Sequence, residues 1–275
     1  MSAIVHRGTV SRWRPTLLIQ ASIALHAVAL VLAILQPHEW TLALGAVAAN
    51  QFVLTAAGLW PRSRVLGPNL VRLPPASIAQ GEVALTFDDG PDPELTPRVL
   101  EVLEAHGARA TFFCIAEKAA RHPELTREIV RRGHAIENHS HSHPHTFAFL
   151  LLRGLRRDLA NAQATLAGLT GRSPRFFRAP MGFRNPLLDP VLHEMGLKLV
   201  TWTRRGFDTD QGKPARVARL LERGLAAGDI LVLHDSHAAL APSGQPVVLE
   251  VLPRLLETLR RQGLKPVTLD QAIDS

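Results

Sequence analysis

One short segment holds an unusual density of potential metal ligands. Residues 137–145 read ENHSHSHPH, which places four histidines at alternate positions. Imidazole is the commonest metal ligand among protein side chains. His139 and His143 are four residues apart and can contact one ion across a helical turn, whereas Pro144 disfavours that turn for the other two histidines. Two histidines do not complete a site, so an oxygen ligand from elsewhere in the chain is expected.

Two adjacent aspartates are the candidates for that oxygen ligand. They end the apolar run ALTFDDGP at residues 84–91. Asp, Gly and Pro are also common in surface turns, so a turn is the alternative for this segment taken alone, as a histidine-rich loop is for the other. A hydrolytic metal site can use two carboxylates, because one can bind the metal while the other accepts a proton from water. We therefore expect Asp88 and Asp89 to divide these roles.

Apolar runs alternate with helical patterns from residue 82 onward, which predicts a mainly parallel α/β sheet, open or closed into a barrel. Seven candidate strands are VALTF (83–87), ATFFCI (110–115), HAIEN (134–138), RFFRAP (175–180), LVTWT (199–203), DILVLH (229–234) and PVTL (266–269). Ligands bind at the carboxyl ends of strands in such folds. Polar residues cluster at or just beyond these ends: Asp88, Asp89, His139, Arg178, Asp208 and His234.

Five segments resemble, in order, the motifs of the polysaccharide deacetylases, the NodB-homology enzymes of carbohydrate esterase family 4. They are TFDDGP (86–91), HSHSH (139–143), RAPMG (178–182), WTRRGFDT (202–209) and ILVLHD (230–235). The resemblance covers about residues 82–275. It implies a distorted (β/α)7 barrel of the NodB-homology type. It also implies metal-dependent hydrolysis of the linear amide C–N bond of an acetylated sugar.

The resemblance implies a role for each motif residue. The metal ligands are Asp89, His139 and His143, and the expected cofactor is one divalent ion, Zn²⁺ first, with Co²⁺, Ni²⁺ or Mn²⁺ as alternatives. The groups that act in catalysis are Asp88 as general base, Arg178 holding that base, His234 as general acid and Asp208 orienting that acid. The groups that meet the substrate are the Met181 backbone N–H at the oxyanion and Trp202 at the acetyl pocket.

Besides a conservative Val232 in the fifth motif, two motifs depart from the family pattern. Ala179 and Met181 stand where the third motif usually has Pro and Tyr, and Thr209 follows Asp208 where Trp is usual. Asp210 is the alternative to Asp208 for orienting His234. These positions lie where the acyl group and the sugar would meet, so hydrolysis of another amide, such as a formamido sugar, stays open.

Two uncharged segments precede the catalytic region. Thr16 to Leu35 and Trp40 to Trp60 each have the length of about 20 apolar residues that crosses a bilayer, and four residues separate them. Trp13, Trp40 and Trp60 lie at their edges, as is typical of a membrane interface. A transmembrane hairpin is predicted. The alternatives are two core helices of a soluble protein, which would show a polar face, and a cleaved secretory signal.

The net charge of +7 is concentrated around this hairpin. Six arginines and one acid before residue 76 give +5 there, and the other two hundred residues carry only +2. No basic stripe with interleaved aromatic residues is present, so nucleic acid is not expected as a partner. Arginines flank the hairpin on both sides and none lies in its loop. The positive-inside rule therefore predicts a two-pass protein of the bacterial inner membrane, with both ends cytoplasmic and a periplasmic catalytic domain as the alternative.

These observations predict a membrane hairpin at residues 1–60, a linker at 61–80 and a deacetylase domain at 81–275. The expected substrate is an N-acetylated amino sugar on a polyprenyl-phosphate-linked envelope precursor, which serves lipid A or glycan modification, because a tethered catalytic domain suits a substrate held in the bilayer. Peptidoglycan or exopolysaccharide is the alternative substrate. An inactive carbohydrate-binding homologue is the alternative from another class.

Overall fold

A curled sheet of eight parallel strands forms the centre of the catalytic region in the computed structural model, which describes residues 12–274. In chain order the strands are β1 (Glu82–Asp88), β2 (Thr111–Cys114), β3 (Ala135–Asn138), β4 (Phe176–Phe177), β5 (Lys198–Leu199), β6 (Arg204–Arg205), β7 (Ile230–His234) and β8 (Lys265–Val267). Their order in the sheet is β5-β4-β3-β2-β1-β7-β6, and β8 pairs with the first half of β1. The predicted (β/α)7 class is confirmed, in the form of a curled half-barrel.

Helices cover the outer face of this sheet, and further helices precede its first strand in the chain. In chain order the helices are α1 (Leu17–Leu35), α2 (Trp40–Leu59), α3 (Pro75–Ala79), α4 (Leu95–Ala105), α5 (Ala116–Arg121), α6 (Pro123–Arg131), α7 (Leu152–Thr170), α8 (Leu188–Glu194), α9 (Pro214–Glu222), α10 (Val247–Arg261) and α11 (Leu269–Asp274). Parallel strands need such crossover helices because consecutive strands run in the same direction.

Strand β1 lies at the centre and is buried along its whole length. Its side chains alternate between the two faces of the sheet. Val83, Leu85 and Phe87 pack with the apolar faces of α4, α9 and α10 in the largest core cluster. Thr86 and Asp88 lie on the other face, where their side chains meet a buried arginine from the far side of the sheet. One strand thus contributes both to the core and to the polar interior.

The strand register brings the carboxyl ends of β1 and β7 together. Asp88 at the end of β1 pairs with His234 at the end of β7. On the other side of β1, Asp88 pairs with Phe113 of β2, and the end of β2 pairs in turn with Asn138 at the end of β3. The aspartate pair, the histidine segment and His234 therefore lie at one edge of the sheet.

Helices α1 and α2 form an antiparallel hairpin joined by a short 3₁₀ turn at Pro37–Glu39. Both are long and apolar enough to cross a membrane, and most of each helix is not buried inside the protein. The few polar side chains between them pair with one another: Asn50 donates to Ser22 at 2.9 Å, and Gln51 lies 3.2 Å from His26. Such pairing satisfies polar groups that hydrocarbon cannot.

The base of the hairpin is in direct contact with the catalytic region. The backbone N–H of Arg184 donates to the carbonyl of Gly58 near the end of α2. Leu66, just after the hairpin, is buried between Ile19 and Leu54 of the two helices. Residues 61–80, the predicted linker, also pack on the barrel through buried Leu66 and Leu73 and contain helix α3.

Strand positions follow the sequence-based expectation with two exceptions. Strand β6 was not predicted, because its two residues are both arginines and carry no apolar signal. The predicted strand at 199–203 is shorter than expected and ends at Leu199, before Trp202. Arg7, one of the arginines used to predict membrane orientation, lies outside the described residues.

Candidate active site

The three predicted metal ligands lie together at the carboxyl edge of the sheet. The Nε2 atoms of His139 and His143 are each 3.3 Å from Oδ1 of Asp89, and the three ligand atoms lie within 4.8 Å of one another. Two atoms that each lie about 2.1 Å from a tetrahedral ion are about 3.4 Å apart. Oδ1 of Asp89 is buried and receives no hydrogen bond within residues 12–274. The donor set and its spacing therefore fit one divalent ion.

The histidine tautomers also suit a metal. Nδ1 of His139 lies 2.8 Å from the carbonyl oxygen of Arg178, so its N–H donates there and Nε2 keeps a lone pair for the ion. Burial opposes a charge on His139, but the carboxylates of Asp88 and Asp89 raise its pKa, so this position attracts positive charge. Burial and the neighbouring His139 lower the pKa of His143 to about 4, which leaves a neutral ligand at physiological pH.

Two tight turns hold these ligands in place. The backbone N–H of His143 donates to Oγ of Ser140, and the N–H of Ser140 donates to the side-chain oxygen of Asn138 at the end of β3. Beyond β1, Gly90 passes so close to the buried Asp235 that a Cβ at this position would lie 2.1 Å from a carboxylate oxygen. Glycine is therefore required in the DDGP turn for space.

Arg178 holds the carboxylate of Asp88. The Arg178 side chain is fully buried, and its Nη1 donates to Asp88 at 2.6 Å and to Thr86 at 2.8 Å. The guanidinium also lies 4.1 Å from the centre of the Phe113 ring. A buried charge needs this degree of pairing, and the pairing fixes the orientation of Asp88 beside the predicted metal ligands.

His234 and Asp208 form a second buried pair. Oδ1 of Asp208 lies 2.9 Å from Nδ1 of His234, and Oδ2 accepts the backbone N–H of His234 at 2.8 Å. Burial opposes protonation of His234, but the charge and hydrogen bond of Asp208 raise its pKa to about 9. Asp210, the alternative to Asp208, is exposed, and its carboxylate bonds to Thr209 instead.

A cleft of about 810 Å³ opens above these groups. Met181 and Trp202, the predicted substrate-contacting residues, both line it. Met181 has φ of 57°, a left-handed conformation that is uncommon for a residue with a side chain. Next to it, Gly182 packs so closely on Trp202 that a Cβ would lie 2.6 Å from the ring. The structure thus brings all nine predicted site residues to this cleft or to direct contact with residues lining it.

Sequence reasoning missed several further residues of the cleft wall, among them Lys118, Arg205 and Phe207. Lys118 donates to the Asp89 carbonyl and to Ser236, both at 2.8 Å, and so connects the loops after β1 and β7. No pattern around it could have revealed this role. For Arg205 and Phe207, the one available signal was the departure of their segment, WTRRGFDT, from the family pattern.

The fold and the site together define an α/β protein of the curled parallel-barrel class, with a cluster of one carboxylate and two histidines that could hold a metal ion. A family model described as polysaccharide deacetylase matches residues 77–200. The chain is 29% identical over 193 residues to a peptidoglycan-N-acetylglucosamine deacetylase of Bacillus cereus, covering 70% of this chain and 87% of that protein. It is 35% identical over 165 residues to a chitooligosaccharide deacetylase of Azorhizobium caulinodans, covering 57% and 74%.

A solved structure supports the same family. The family 4 carbohydrate esterase from Streptomyces lividans, in complex with acetate, aligns with a TM-score of 0.61 and 33% identity, over 68% of this chain and 91% of that chain. The chain therefore belongs to the polysaccharide deacetylases of carbohydrate esterase family 4, which are metal-dependent amide hydrolases.

Proposed function

We propose that this deacetylase is anchored in the bacterial inner membrane and removes the acetyl group from an N-acetylated amino sugar carried on a polyprenyl phosphate. The observation that carries the proposal is the contact between Gly182 and Pro61. A Cβ at Gly182 would lie 3.0 Å from the side chain of Pro61, which follows the hairpin directly. Gly182 also lines the cleft, so one wall of the cleft meets the end of the predicted membrane segment.

The surface of the hairpin supports the anchoring. Large apolar side chains on both helices are exposed, among them Leu17, Val28, Leu35 and Phe52. A core helix of a soluble protein would be mostly buried, and exposed apolar area of this extent needs a partner. The bilayer is the partner that also suits the length of both helices. This placement brings the cleft to the membrane surface, where a lipid-linked sugar is presented.

Asp89, His139 and His143 would hold the divalent ion, which we propose to be Zn²⁺, with Co²⁺, Ni²⁺ or Mn²⁺ also compatible with two imidazoles and a carboxylate. The chemistry that such an ion supplies when bound is Lewis-acid activation of water and of the acetamide carbonyl. Asp88 accepts a proton from the attacking water. Arg178 keeps that carboxylate oriented through its 2.6 Å hydrogen bond.

Collapse of the tetrahedral intermediate requires proton delivery, because an unprotonated amine is a poor leaving group. His234, held protonated by Asp208, donates that proton to the sugar nitrogen. The backbone N–H of Met181 donates to the developing oxyanion, and its left-handed backbone is fixed before substrate arrives. Trp202 forms an apolar wall for the acetyl methyl group.

The test is mass spectrometry of the detergent-purified full chain incubated with a polyprenyl-phosphate N-acetylhexosamine. We expect loss of one acetyl group, abolished by Asp89→Ala or by a chelator and restored after chelation by added Zn²⁺. Comparing Zn²⁺, Co²⁺, Ni²⁺ and Mn²⁺ in the restoration step identifies the most active metal.

Three other outcomes would contradict parts of the proposal. Acetate release from peptidoglycan or chitin oligomers, but not from the lipid-linked sugar, would support the proposed deacetylation and contradict the proposed substrate. Formate release from a formamido sugar, without acetate release from any acetylated sugar, would show that the enzyme removes a formyl group and not an acetyl group. No release from any sugar, with retained binding, would indicate a carbohydrate-binding homologue.

A further inference from the structure

Two arginines and a lysine lie at the cleft or directly beneath it, and they differ in how their charges are satisfied. Arg178 donates to Asp88, Thr86 and two backbone carbonyls. Lys118 has three partners within hydrogen-bonding distance, two oxygens and a ring nitrogen of His237. Within residues 12–274, Arg205 has neither a carboxylate within 4.0 Å nor any hydrogen-bond acceptor, and its Nε atom is buried without a partner. An unpaired cation in a binding cleft indicates that an anion completes it.

The alternation of strand β6 directs Arg205 into the cleft. Neighbouring residues of a strand point to opposite faces. Arg204 points away from the cleft and is fully engaged, with Asp229 at 2.7 Å and the backbone carbonyls of Arg223 and Gly224. Arg205 lines the cleft on the opposite face. The two arginines therefore have different roles, and only the second is available to a ligand.

Two aromatic rings fix the direction of the Arg205 guanidinium. It lies 4.8 Å from the centre of the Phe207 ring and 5.3 Å from that of Trp202. Stacking leaves the edge of a guanidinium free for paired hydrogen bonds. Phe207 has φ of 57°, and its carbonyl accepts the N–H groups of Asp210 and Gln211. A bulky residue is held in this unfavourable conformation only by such surroundings, so the aromatic support is preorganised.

The position of Arg205 relates the anion to the membrane. Trp202, on which Arg205 stacks, packs on Gly182, and Gly182 packs on Pro61 at the base of the hairpin. An anion on Arg205 thus lies beside Trp202, which connects through Gly182 to the base of the hairpin. In a lipid-linked sugar the phosphate lies between the sugar ring and the prenyl chain, so it is the anion expected nearest to the bilayer.

We propose that Arg205 binds the phosphate of the lipid-linked amino sugar and so selects it over uncharged glycans. The proposal rests on the proposed function for its substrate, and a guanidinium edge matches two phosphate oxygens. Arg205 acts in binding and specificity, and the proton-transfer groups described above do not depend on it.

The test compares two substrates of the same sugar in the same detergent: a prenyl-phosphate N-acetylhexosamine and the uncharged prenyl glycoside. Wild type, Arg205→Gln and Arg205→Lys are measured, with Arg216→Gln as the control that removes an exposed charge outside the cleft. We expect Arg205→Gln to lower the ratio of kcat/KM for the charged over the uncharged substrate by about 10- to 100-fold, through KM. Arg205→Lys should give an intermediate ratio, because lysine keeps the positive charge but lacks the paired N–H donors of the guanidinium. Arg216→Gln should keep the wild-type ratio.

A second measurement separates this proposal from the proposed function. Farnesyl phosphate is tested as an inhibitor of hydrolysis of the uncharged glycoside, and Arg205→Gln should raise its inhibition constant by about 10-fold or more. If wild type does not process the lipid-linked sugar but this inhibition depends on Arg205, the substrate is wrong and the phosphate site stands.

Two results would overturn the phosphate site itself. One is an unchanged substrate ratio together with unchanged inhibition in Arg205→Gln. The other is a selective loss on a peptidoglycan fragment bearing a muramic acid carboxylate, which would make that carboxylate the anion.

Discussion

At the scale of single residues, unfavourable backbone conformation is concentrated at the site. Within residues 12–274, the non-glycine residues with positive φ are Asp89, Ser140, His143, Met181, Phe207 and His237. Five of them line the cleft, and the sixth, Ser140, accepts a hydrogen bond from the proposed metal ligand His143. Each costs on the order of 1–3 kcal/mol, which the surrounding packing and hydrogen bonds must offset. Packing and hydrogen bonds in the fold therefore hold these cleft residues in their unfavourable conformations before substrate binds.

The pH dependence of catalysis follows from the His234–Asp208 pair. A general acid is active while protonated, so activity is present below the pKa of His234 and is lost as the pH rises through about 9. Asp208→Asn removes the charge that raises this pKa, while the burial that lowers it remains. We expect the alkaline limb of the pH profile of kcat to move about two to three units toward acid, so that kcat at pH 8 falls about 10- to 100-fold.

The matched control for this prediction is Asp210→Asn, which removes a carboxylate two residues away that does not contact His234. Its alkaline limb should remain where the wild-type limb lies. A shift in Asp210→Asn with none in Asp208→Asn would reverse the assignment of the orienting residue.

At the scale of elements, the sequence predicted what strong local patterns encode. Strands β1 and β7 are apolar runs that end in Asp88 and His234, so the sequence predicted both the strands and their positions. Parallel pairing of the two strands places Asp88 opposite His234. Strand β6 and helix α3 were missed, because two arginines and a short Pro-rich segment carry no period. The tertiary pairing of β6 with β7 decides the place of Arg205, and no local signal contains it.

The contact between the hairpin and the catalytic region gives a prediction about helix α2. A Cβ at Gly58 would lie 2.1 Å from the carbonyl oxygen of Arg184, and overpacking of this kind costs about 1–3 kcal/mol. Gly58→Ala should therefore loosen the docking of the barrel on the hairpin. We expect faster limited proteolysis within residues 61–80 and a several-fold loss of activity on bilayer-embedded substrate relative to soluble chitooligosaccharide.

Gly45 in the same helix provides the control, since a Cβ there meets nothing within 4 Å. Gly45→Ala should leave both proteolysis and the activity ratio at wild-type values. Equal behaviour of the two variants would mean that the docking contact does not position the cleft.

At the scale of the whole molecule, charge predicts the membrane orientation. Arg12 and Arg14 precede the hairpin and Arg62, Arg64 and Arg72 follow it, so both ends are expected in the cytoplasm. Arg72 is engaged in the fold, where it donates to Asp229 at 2.9 Å, so the rule depends on few free charges. Paired fusions at the C-terminus give the measurement: a reporter active only in the cytoplasm should function, and one active only in the periplasm should not. The reverse pattern would place the enzyme on the peptidoglycan side.

The close packing at Gly58, Pro61 and Gly182 has a kinetic consequence on the proposed membrane placement. Enzyme and substrate would then diffuse in the same two-dimensional sheet, and the cleft would meet only sugars that reach the junction laterally. Turnover would follow the mole fraction of substrate among the lipids rather than its amount per volume. Adding inert lipid at constant enzyme and substrate would slow the reaction, as in surface dilution, although every bulk concentration stayed the same.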